Sequence, residues 1–283
     1  MSTYTQNSNV LMNEKVPTHK MHYLLNEKTP FSVMESFRSI KAALSVSVPK
    51  SANKGTVIMM TSALPEDGKT TVSVNLALMF ALSDAKVVIV DADIRKGRIG
   101  KYFKQKNEPG LSNYLSGQVS AKRMTYRSKI NENLSFITCG TYSPRPYELL
   151  ESEEMKALVE ELRNEFDYVI IDTPPILLVS DSLAFTSIVD GTVLVARYQK
   201  SNMNDIGKAL RALSFAKANV LGVVVNDYKG MPNKDGYGYY DEYYSYGEKQ
   251  PYSLSASVKK ATSVNSKLKK ETEAVEETEK TEE

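Results

Sequence analysis

Short runs of Val, Ile, Leu and Met recur along this chain, and segments with helical spacing separate them. The runs are continuous rather than alternating with polar residues, which is typical of strands buried on both faces of a parallel sheet. They predict strands at 56–62, 85–91, 134–139, 167–172, 192–198 and 220–226. Helices between such strands must cover both faces of the sheet, so the pattern predicts an α/β fold with a doubly wound, mostly parallel sheet.

Helical spacing of apolar residues predicts the intervening helices and the limits of the folded domain. These helices cover about 30–48, 69–83, 110–117, 152–166 and 203–217. Residues 31–228 are assigned to one folded domain, and residues 1–30, which are polar and lack clear periodicity, to a flexible arm. Residues 229–283 hold a tyrosine cluster and a charged tail, which we expect to be disordered because it cannot bury enough apolar area.

Composition argues against several classes of site and partner. The 283 residues carry a net charge of only +2, which gives no reason to expect nucleic-acid binding. The single cysteine, Cys139, cannot form an internal disulfide or hold a structural zinc ion alone, so we expect it to be buried and unreactive. No apolar run approaches the ~18 residues of a membrane span, and no signal sequence follows Met1, so we expect a cytoplasmic chain.

Residues 61–71, TSALPEDGKTT, lie between a predicted strand and a predicted helix. They match the phosphate-loop pattern GxxxxGK[ST] except that Ala63 replaces its first glycine. In this pattern backbone N–H groups and the helix N-terminus bind phosphates, and the roles of phosphate lysine and Mg²⁺ ligand fall on Lys69 and Thr70. An ordinary polar turn before a helix is the alternative interpretation. The predicted nucleotide contacts of the loop are Pro65, Glu66, Asp67, Gly68, Lys69, Thr70 and Thr71.

Further polar residues follow buried strands at their carboxyl ends. Asp91 and Asp93 follow a strand in VVIVDADIR, and Asp172 ends another in FDYVIIDTPP, which has the Walker B form. Because ligands of open α/β sheets bind beyond the carboxyl ends of the strands, we expect these aspartates to share one site with Thr61 and Asn226. The carboxylates suit Mg²⁺, and the Asn226 amide is a candidate for contacting adenine. A helix cap or a turn is the alternative interpretation of the aspartate pair.

Taken together, SALPEDGKT, VDADIR and IIDTPP resemble the motifs of the bacterial tyrosine kinases of capsule and exopolysaccharide operons. The pattern there is SxxPGEGKS/T, then VDADxR, then IIDTPP. GLSNYLSG at 110–117 and PRPYELL at 144–150 are smaller matches. The resemblance covers residues 31–228 and the tyrosine cluster, and its specific part is VDADxR combined with that cluster.

The resemblance implies a P-loop NTPase-like kinase that uses ATP and Mg²⁺ to phosphorylate tyrosine. In that family's terms Lys69 binds phosphate, and Arg95, which ends VDADxR, counts among the catalytic residues. Asp91 is the candidate catalytic base, although the division of work between Asp91 and Asp93 stays open, because phosphoryl transfer needs mainly alignment and charge neutralisation. The implied metal ligands, acting mostly through water, are Thr70, Asp93 and Asp172.

Seven tyrosines near the C-terminus are the implied substrates. They are Tyr237, Tyr239, Tyr240, Tyr243, Tyr244, Tyr246 and Tyr252. By composition alone, an aromatic segment that packs on a partner is an equally good interpretation. The resemblance implies phosphorylation in trans, within a ring-like homo-oligomer, of a cluster whose modification regulates polysaccharide synthesis and export.

A charged stripe on the first predicted helix is the candidate assembly surface. Glu35, Arg38 and Lys41 fall on one helix face and match the family's ExxRxxR/K oligomerisation motif, although solvated stripes of this kind are common. The resemblance also implies a membrane activator of the polysaccharide co-polymerase type, which recruits the chain to the inner face of the membrane. A tyrosine phosphatase is the further partner that it implies.

Three residues depart from the family pattern. Glu66 replaces Gly and Asp67 replaces Glu in the phosphate loop, and Arg145 replaces Asn. A non-glycine residue is strained if its φ is positive, and a carboxylate that points inward repels phosphate. We therefore expect an ATP affinity different from that of the family.

Two rival functions use the same fold. A ParA/MinD-like ATPase switch shares the paired aspartates, but Leu64 occupies the position of its signature lysine. A scaffold that binds ATP and docks through its tyrosines is the second rival. Tyrosine labelling that depends on Lys69 distinguishes the kinase from both.

Overall fold

The structure is a computed structural model and describes residues 23–48 and 54–228. The tyrosine cluster and the charged tail lie outside the described residues, as does the arm up to residue 22. What the sequence predicts for those segments stays a prediction.

One seven-stranded sheet forms the centre of the described domain. Its strands are β1 Thr56–Ser62, β2 Val87–Asp91, β3 Thr125–Arg127, β4 Leu134–Ile137, β5 Tyr168–Asp172, β6 Gly191–Arg197 and β7 Val220–Asn226. Their order is β3-β4-β2-β5-β1-β6-β7, and every pair is parallel except β3 with β4. The predicted mostly parallel sheet is confirmed, and the antiparallel edge strand β3, only three residues long, was too short for its pattern to be recognised.

Helices cover both faces of this sheet. They are α1 Phe31–Ser47, α2 Lys69–Ala81, α3 Ile99–Tyr102, α4 Leu111–Leu115, α5 Ala121–Met124, α6 Pro146–Glu151, α7 Glu153–Glu165 and α8 Met203–Phe215, with a 3₁₀ helix at Ser180–Phe185. The five predicted helices are present within a few residues of their predicted ends. Ser152 caps α7 by accepting a hydrogen bond from the Met155 N–H at 3.3 Å. The elements that were not predicted are one or two turns long, too short for periodicity to reveal them.

Alternate residues of the central strands divide the core into two layers. Val57 and Met59 of β1 pack on one side with α7 and α8, while Ile58 and Met60 pack on the other with α1 and α2. All four side chains are buried. The continuous apolar runs therefore mark strands buried on both faces, as predicted, and only the edge strand β7 leaves part of its run exposed, because it has a neighbour on one side only.

The segment before α1 is attached to the domain, which moves the boundary predicted at residue 31. The backbone N–H of Leu25 donates to Asn75 Oδ1 at 2.8 Å, and Asn75 Nδ2 donates to the Tyr23 carbonyl at 2.8 Å. The Leu25 side chain is buried. One buried asparagine on α2 therefore holds residues 23–25, a long-range contact that composition does not reveal. Among the described residues, no helix combines the length and apolar character needed to cross a bilayer.

Candidate active site

The phosphate loop runs from the end of β1 to the start of α2. Gly68 precedes α2 with a φ of 88°, a left-handed conformation that glycine adopts without strain. A Cβ at this position would lie 1.8 Å from Asn226 Nδ2. The loop therefore needs glycine here for two reasons, its backbone conformation and the close approach of β7.

The inner wall of the loop is a buried cluster around Asp172, at the end of β5. Its Oδ2 lies 2.8 Å from Lys69 Nζ and accepts a hydrogen bond from Thr70 Oγ1 at 2.7 Å. Its Oδ1 accepts a hydrogen bond from Ser73 Oγ at 2.8 Å. The side chains of Lys69 and Asp172 are 7% and 1% exposed, so this ion pair is shielded from water. We call Lys69, Thr70, Ser73 and Asp172 the inner cluster.

Asp91 lies beside this cluster because β2 and β5 are neighbours and Asp91 pairs in register with Asp172. Asp91 is fully buried, and its Oδ2 accepts a hydrogen bond from the Ile99 N–H at 2.9 Å. Its Oδ1 has no hydrogen-bond partner in the structure. Burial, and then the negative charge of Asp172, raise the pKa of Asp91 to about 8. Asp91 is therefore a buried carboxyl with one oxygen that lacks a hydrogen-bond partner.

Asp93 lies two residues further along and is half-buried. Its Oδ1 accepts a hydrogen bond from the Lys96 N–H at 3.0 Å. Burial raises the pKa of Asp93, while the charge of Lys69 opposes that shift. The two aspartates of VDADIR are thus in different environments, Asp91 enclosed and Asp93 closer to solvent.

The outer side of the loop, at Pro65, Glu66 and Asp67, is held by residues that follow β6. Lys200 Nζ lies 2.9 Å from Glu66 Oε2 and 3.3 Å from the Pro65 carbonyl oxygen. Ser201 Oγ donates to Asp67 Oδ1 at 2.9 Å. We call these five residues the outer arc.

Both acidic departures from the family pattern are accommodated in this arc. Glu66 has a φ of 67°, so a non-glycine residue does occupy a left-handed conformation here. The Glu66 carboxylate pairs with Lys200 at the surface. The hydrogen bond from Lys200, and then the positive charge of Lys200, lower the pKa of Glu66. Asp67 is buried, with Oδ2 accepting from the Leu64 N–H at 3.2 Å. Both carboxylates therefore have partners in the protein, Glu66 at the surface and Asp67 in the interior, and the arrangement does not force either into the phosphate position.

Arg95 is bound by a residue that the sequence did not single out. Its Nε and Nη2 donate to the two carboxylate oxygens of Asp181 at 2.7 and 3.1 Å. Asp181 is 1% exposed and lies in the 3₁₀ helix after β5. The guanidinium thus ties the VDADIR segment to the segment after IIDTPP, and a direct catalytic role for Arg95 stays a prediction.

The remaining predicted site residues have hydrogen-bond partners within the protein. Thr61 is buried and donates to the Pro174 carbonyl at 3.0 Å, so its hydroxyl holds the TPP turn. Thr71 Oγ1 lies 2.6 Å from the Tyr102 hydroxyl. Asn226 Nδ2 donates to the Asp67 carbonyl at 3.0 Å, which places it against the phosphate loop. Its contact with adenine stays a prediction.

The charged stripe on α1 has partners within its own chain. Arg38 Nη1 lies 3.1 Å from Glu35 Oε2, an ion pair one turn apart on the helix. Lys41 Nζ donates to Ser83 Oγ at 2.5 Å. Cys139 is buried, as predicted, and burial raises the pKa of its thiol to about 12, which keeps it protonated.

Among the contributors to the site that sequence reasoning missed are Ser73, Lys200 and Asp181. Ser73 carries a weak signal, because it lies four residues after Lys69 and so shares a helix face with it. Lys200 follows the carboxyl end of a strand, where loop residues of such sheets meet ligands. Asp181 carries no signal that we can identify, since an isolated acidic residue in a short segment is common at protein surfaces.

The residues present fit a magnesium nucleotide. Thr70, Asp93 and Asp172 offer hydroxyl and carboxylate oxygens, the ligand type that Mg²⁺ prefers, and Lys69 offers a cation for phosphate. The unpartnered Asp91 oxygen is a buried polar atom that a ligand would satisfy. Within residues 23–48 and 54–228, no group of three His, Cys, Asp or Glu side chains forms a metal cage by itself. Oxygen atoms of a phosphate and water would therefore have to complete the coordination.

The chain matches proteins of known family. The model of the AAA-domain family matches residues 55–219. The tyrosine-protein kinase ptk of Acinetobacter johnsonii is 36% identical over 194 residues, which are 69% of this chain but 26% of that protein. The tyrosine-protein kinase CpsD of Streptococcus pneumoniae is 38% identical over 208 residues, 73% of this chain and 90% of CpsD. The chain thus spans about a quarter of the longer relative and most of the shorter one.

Solved structures give the same result for the fold. The kinase domain of the Escherichia coli tyrosine kinase ETK superposes with a TM-score of 0.67 at 32% identity, covering 73% of this chain and 79% of that domain. The cell division ATPase MinD of Pyrococcus furiosus superposes with a TM-score of 0.53 at 22% identity, covering 68% of this chain and 80% of that one. The second likeness shows a shared fold and nothing more.

Proposed function

Because this chain belongs to the family of bacterial tyrosine-protein kinases that these relatives represent, within the AAA-domain family, we propose that it is an ATP-dependent autokinase acting on its own C-terminal tyrosines. The observation that carries the proposal is the convergence of Lys69 and Thr70 on Asp172 beside Asp91. This arrangement combines a phosphate lysine, oxygen ligands for Mg²⁺ and a carboxyl with a free oxygen. Seven tyrosines in the same chain supply acceptor hydroxyls.

Each residue of the inner cluster has a defined part in this proposal. Mg·ATP supplies the phosphoryl group and the charge that the leaving oxygens need. Lys69 binds the outer phosphates, and Thr70 and Asp172 hold the metal, partly through water. Ser73 keeps Asp172 in place from the buried side.

Asp91 is the proposed acceptor of the tyrosine proton, at its unpartnered Oδ1. A carboxyl accepts a proton only when ionised, and a pKa of about 8 leaves most of Asp91 protonated at pH 7 in the ligand-free protein. A bound divalent cation would favour the ionised form through its charge. Metal binding and activation of the base are therefore linked in this site, and Asp93 remains the second candidate base.

Assembly is the second part of the proposal. Glu35, Arg38 and Lys41 lie on α1, and in the family a matching motif builds a ring in which one copy phosphorylates the next. The test replaces both Glu35 and Arg38 by Ala, and a smaller oligomer is expected by light scattering. The control is Glu153→Ala/Lys156→Ala, which removes another ion pair of the same spacing on α7. An unchanged oligomer size in the Glu35/Arg38 variant would remove the assembly claim.

Partners and location complete the proposal. We infer a membrane activator of the polysaccharide co-polymerase type that recruits the chain to the inner face of the membrane, and a tyrosine phosphatase that reverses the modification. The pathway regulated would be capsule or exopolysaccharide synthesis and export. Support comes from the family resemblance of the motifs.

The decisive experiment compares wild type with Lys69→Ala, each expressed with and without candidate membrane activators. Anti-phosphotyrosine blotting is expected to give a strong signal for wild type and none for the variant. Mass spectrometry should place the label among the seven C-terminal tyrosines. ATP hydrolysis without tyrosine labelling in any combination would support the ATPase switch instead, and nucleotide binding without either activity would support the scaffold.

A further inference from the structure

The segment that follows Asp93 carries a run of basic residues that no acidic residue interrupts. Between residues 96 and 106 there are five basic residues and no acidic one. They are Lys96, Arg98, Lys101, Lys104 and Lys106, and all five are exposed. Among the described residues none of the five forms an ion pair within 4 Å, whereas the neighbouring Arg95 does so with Asp181. We call these five residues the basic rim.

Three contacts fix the first half of this rim at the mouth of the active site. The Lys96 N–H binds Asp93 Oδ1 at 3.0 Å. Ile99, next to Arg98, donates its N–H to Asp91 Oδ2 at 2.9 Å. Tyr102, next to Lys101, lies 2.6 Å from the Thr71 hydroxyl in the first turn of α2. The segment that carries the rim is thus bound to both candidate bases through its backbone and to the phosphate-loop helix through the Tyr102 side chain, while its basic side chains remain at the surface.

The space available to the segment is limited on its inner side. A Cβ at Gly97 would lie 2.3 Å from Cys139 Sγ and 2.8 Å from Asp91 Oδ2. The chain therefore lies directly on the buried floor of the site at this point. Such close packing keeps Arg98 from moving far from Asp91.

A segment of opposite charge exists in the same chain. Residues 235–248 contain six of the seven C-terminal tyrosines, four acidic residues and no Lys or Arg. Asp241 and Glu242 stand between two tyrosine pairs, Tyr239–Tyr240 and Tyr243–Tyr244. A tyrosine in this segment cannot enter a site bordered by the rim without bringing an acidic side chain with it.

We propose that the basic rim is the docking surface for the acidic tyrosine segment of a second copy of this chain. The inference rests on the proposed kinase function and names how that site would recognise its substrate. Pairing of Arg98 and Lys101 with Asp241 and Glu242 places a flanking tyrosine hydroxyl beside Asp91 and Asp93.

The test measures phosphorylation between two distinguishable copies. The enzyme copy has all seven C-terminal tyrosines replaced by Phe, and the substrate copy carries Lys69→Ala, so label on those seven positions can appear only by transfer in trans. Reversing the charges on the enzyme copy, Arg98→Glu with Lys101→Glu, is expected to raise the KM for the substrate copy roughly tenfold. Each of two exposed attractions, worth up to about fivefold, is replaced by a repulsion. The KM for ATP should remain the same.

Charge reversal on the substrate provides the matching arm. Asp241→Lys with Glu242→Lys should weaken transfer by a wild-type rim and restore transfer by the reversed rim. Both effects should shrink at 0.5 M salt, since exposed pairs are screened. The control is Lys86→Glu, an exposed lysine at the amino end of β2, the opposite end from Asp91.

The outcomes separate this inference from the function on which it rests. No transfer by an enzyme copy with the wild-type rim would sink the kinase proposal itself. Transfer at the normal rate, unchanged by charge reversal on either copy, would overturn the proposed docking role of the basic rim. A higher KM for ATP with unchanged KM for the substrate copy would also overturn it, because it would assign Arg98 and Lys101 to the nucleotide. The Asp241/Glu242 variant of the substrate copy leaves the rim unaltered. It therefore tests the docking proposal even if the Arg98/Lys101 variant fails to fold.

Discussion

The two sides of the phosphate loop are held by ion pairs of very different character. On the inner side, Lys69 and Asp172 are almost completely buried and share hydrogen bonds with two hydroxyls. On the outer side, Lys200 and Glu66 are 41% and 70% exposed. A buried pair that loses one partner leaves an uncompensated charge, whereas an exposed pair contributes little.

This difference indicates that the inner side of the loop contains the groups for binding nucleotide and metal, whereas the outer side holds the loop in place. The side chains of the inner cluster bind one another in this structure, and the same groups would bind the nucleotide and its metal. In the outer arc, Lys200 contacts the Pro65 carbonyl of the loop backbone and pairs with the exposed carboxylate of Glu66. Variants on the two sides should therefore differ in size of effect and in the property affected, although both sides use a lysine–carboxylate pair.

The largest effect is expected from Lys69→Ala. It removes the phosphate lysine and leaves Asp172 buried without its cation, so autophosphorylation should fall at least about a thousandfold. The free energy of unfolding in metal-free buffer should fall by about 3 kcal/mol. Radiolabel transfer and denaturant unfolding measure the two effects. Lys200→Ala is the matched control, and equal losses in both variants would erase the distinction between the two sides.

Asp91→Asn should separate activity from stability. Loss of the proposed base lowers kcat by at least about a hundredfold. The pKa of Asp91 is raised from 3.8 to about 8, so the folded protein keeps a proton that the unfolded chain releases. Stability contributed by this proton is complete below about pH 4 and is lost as pH rises to about 8, and the amide variant should lack that loss.

The measurement is thermal unfolding of both proteins in metal-free buffer from pH 5 to 9. The Tm of wild type should fall relative to that of Asp91→Asn across this range. The variant should be the more stable protein at pH 9 although its kcat is much lower. Parallel Tm profiles would show that Asp91 does not carry the raised pKa.

Ser73→Ala should have an intermediate effect. When Lys69 and Thr70 turn toward a nucleotide, Ser73 is the donor that remains on Asp172, so its loss should reduce kcat roughly tenfold. The Mg²⁺ concentration needed for half-maximal rate should increase as well. Ser36→Ala is the control, because Ser36 also donates to a backbone carbonyl four residues earlier but contacts no carboxylate. A rate like that of wild type would remove Ser73 from the inner cluster's function.

The smallest effect is expected on the outer side. Lys200→Ala should change the KM for ATP by less than about fivefold and leave kcat unchanged, since the pair is exposed. The effect should be smaller when Glu66→Gln is already present, because the partner charge is then absent and only the contact of Lys200 with the Pro65 carbonyl remains. Steady-state kinetics of the two single variants and the double variant measure the coupling. A tenfold change in kcat would place the outer arc in the chemistry.

Much of the fold and part of the site followed from local sequence. Continuous apolar runs identified the six longest strands, and all but β7 are buried as those runs predict. Motif spacing identified Lys69, Thr70, Asp91 and Asp172, which do converge. The attachment of residues 23–25 was missed, because it depends on one distant asparagine rather than on their own composition.

Sequence by itself determined the alternation of strands and helices and the acidic residues at strand ends, because both features depend on short stretches of consecutive residues. Tertiary structure alone decided which partners those residues meet. Ser73 and Asp172 are 99 positions apart, Glu66 and Lys200 are 134 apart, and Arg95 and Asp181 are 86 apart. It also decided that Asp91 is neutral near pH 7 when no ligand is bound, since its pKa depends on burial and on the charge of Asp172 in the adjacent strand.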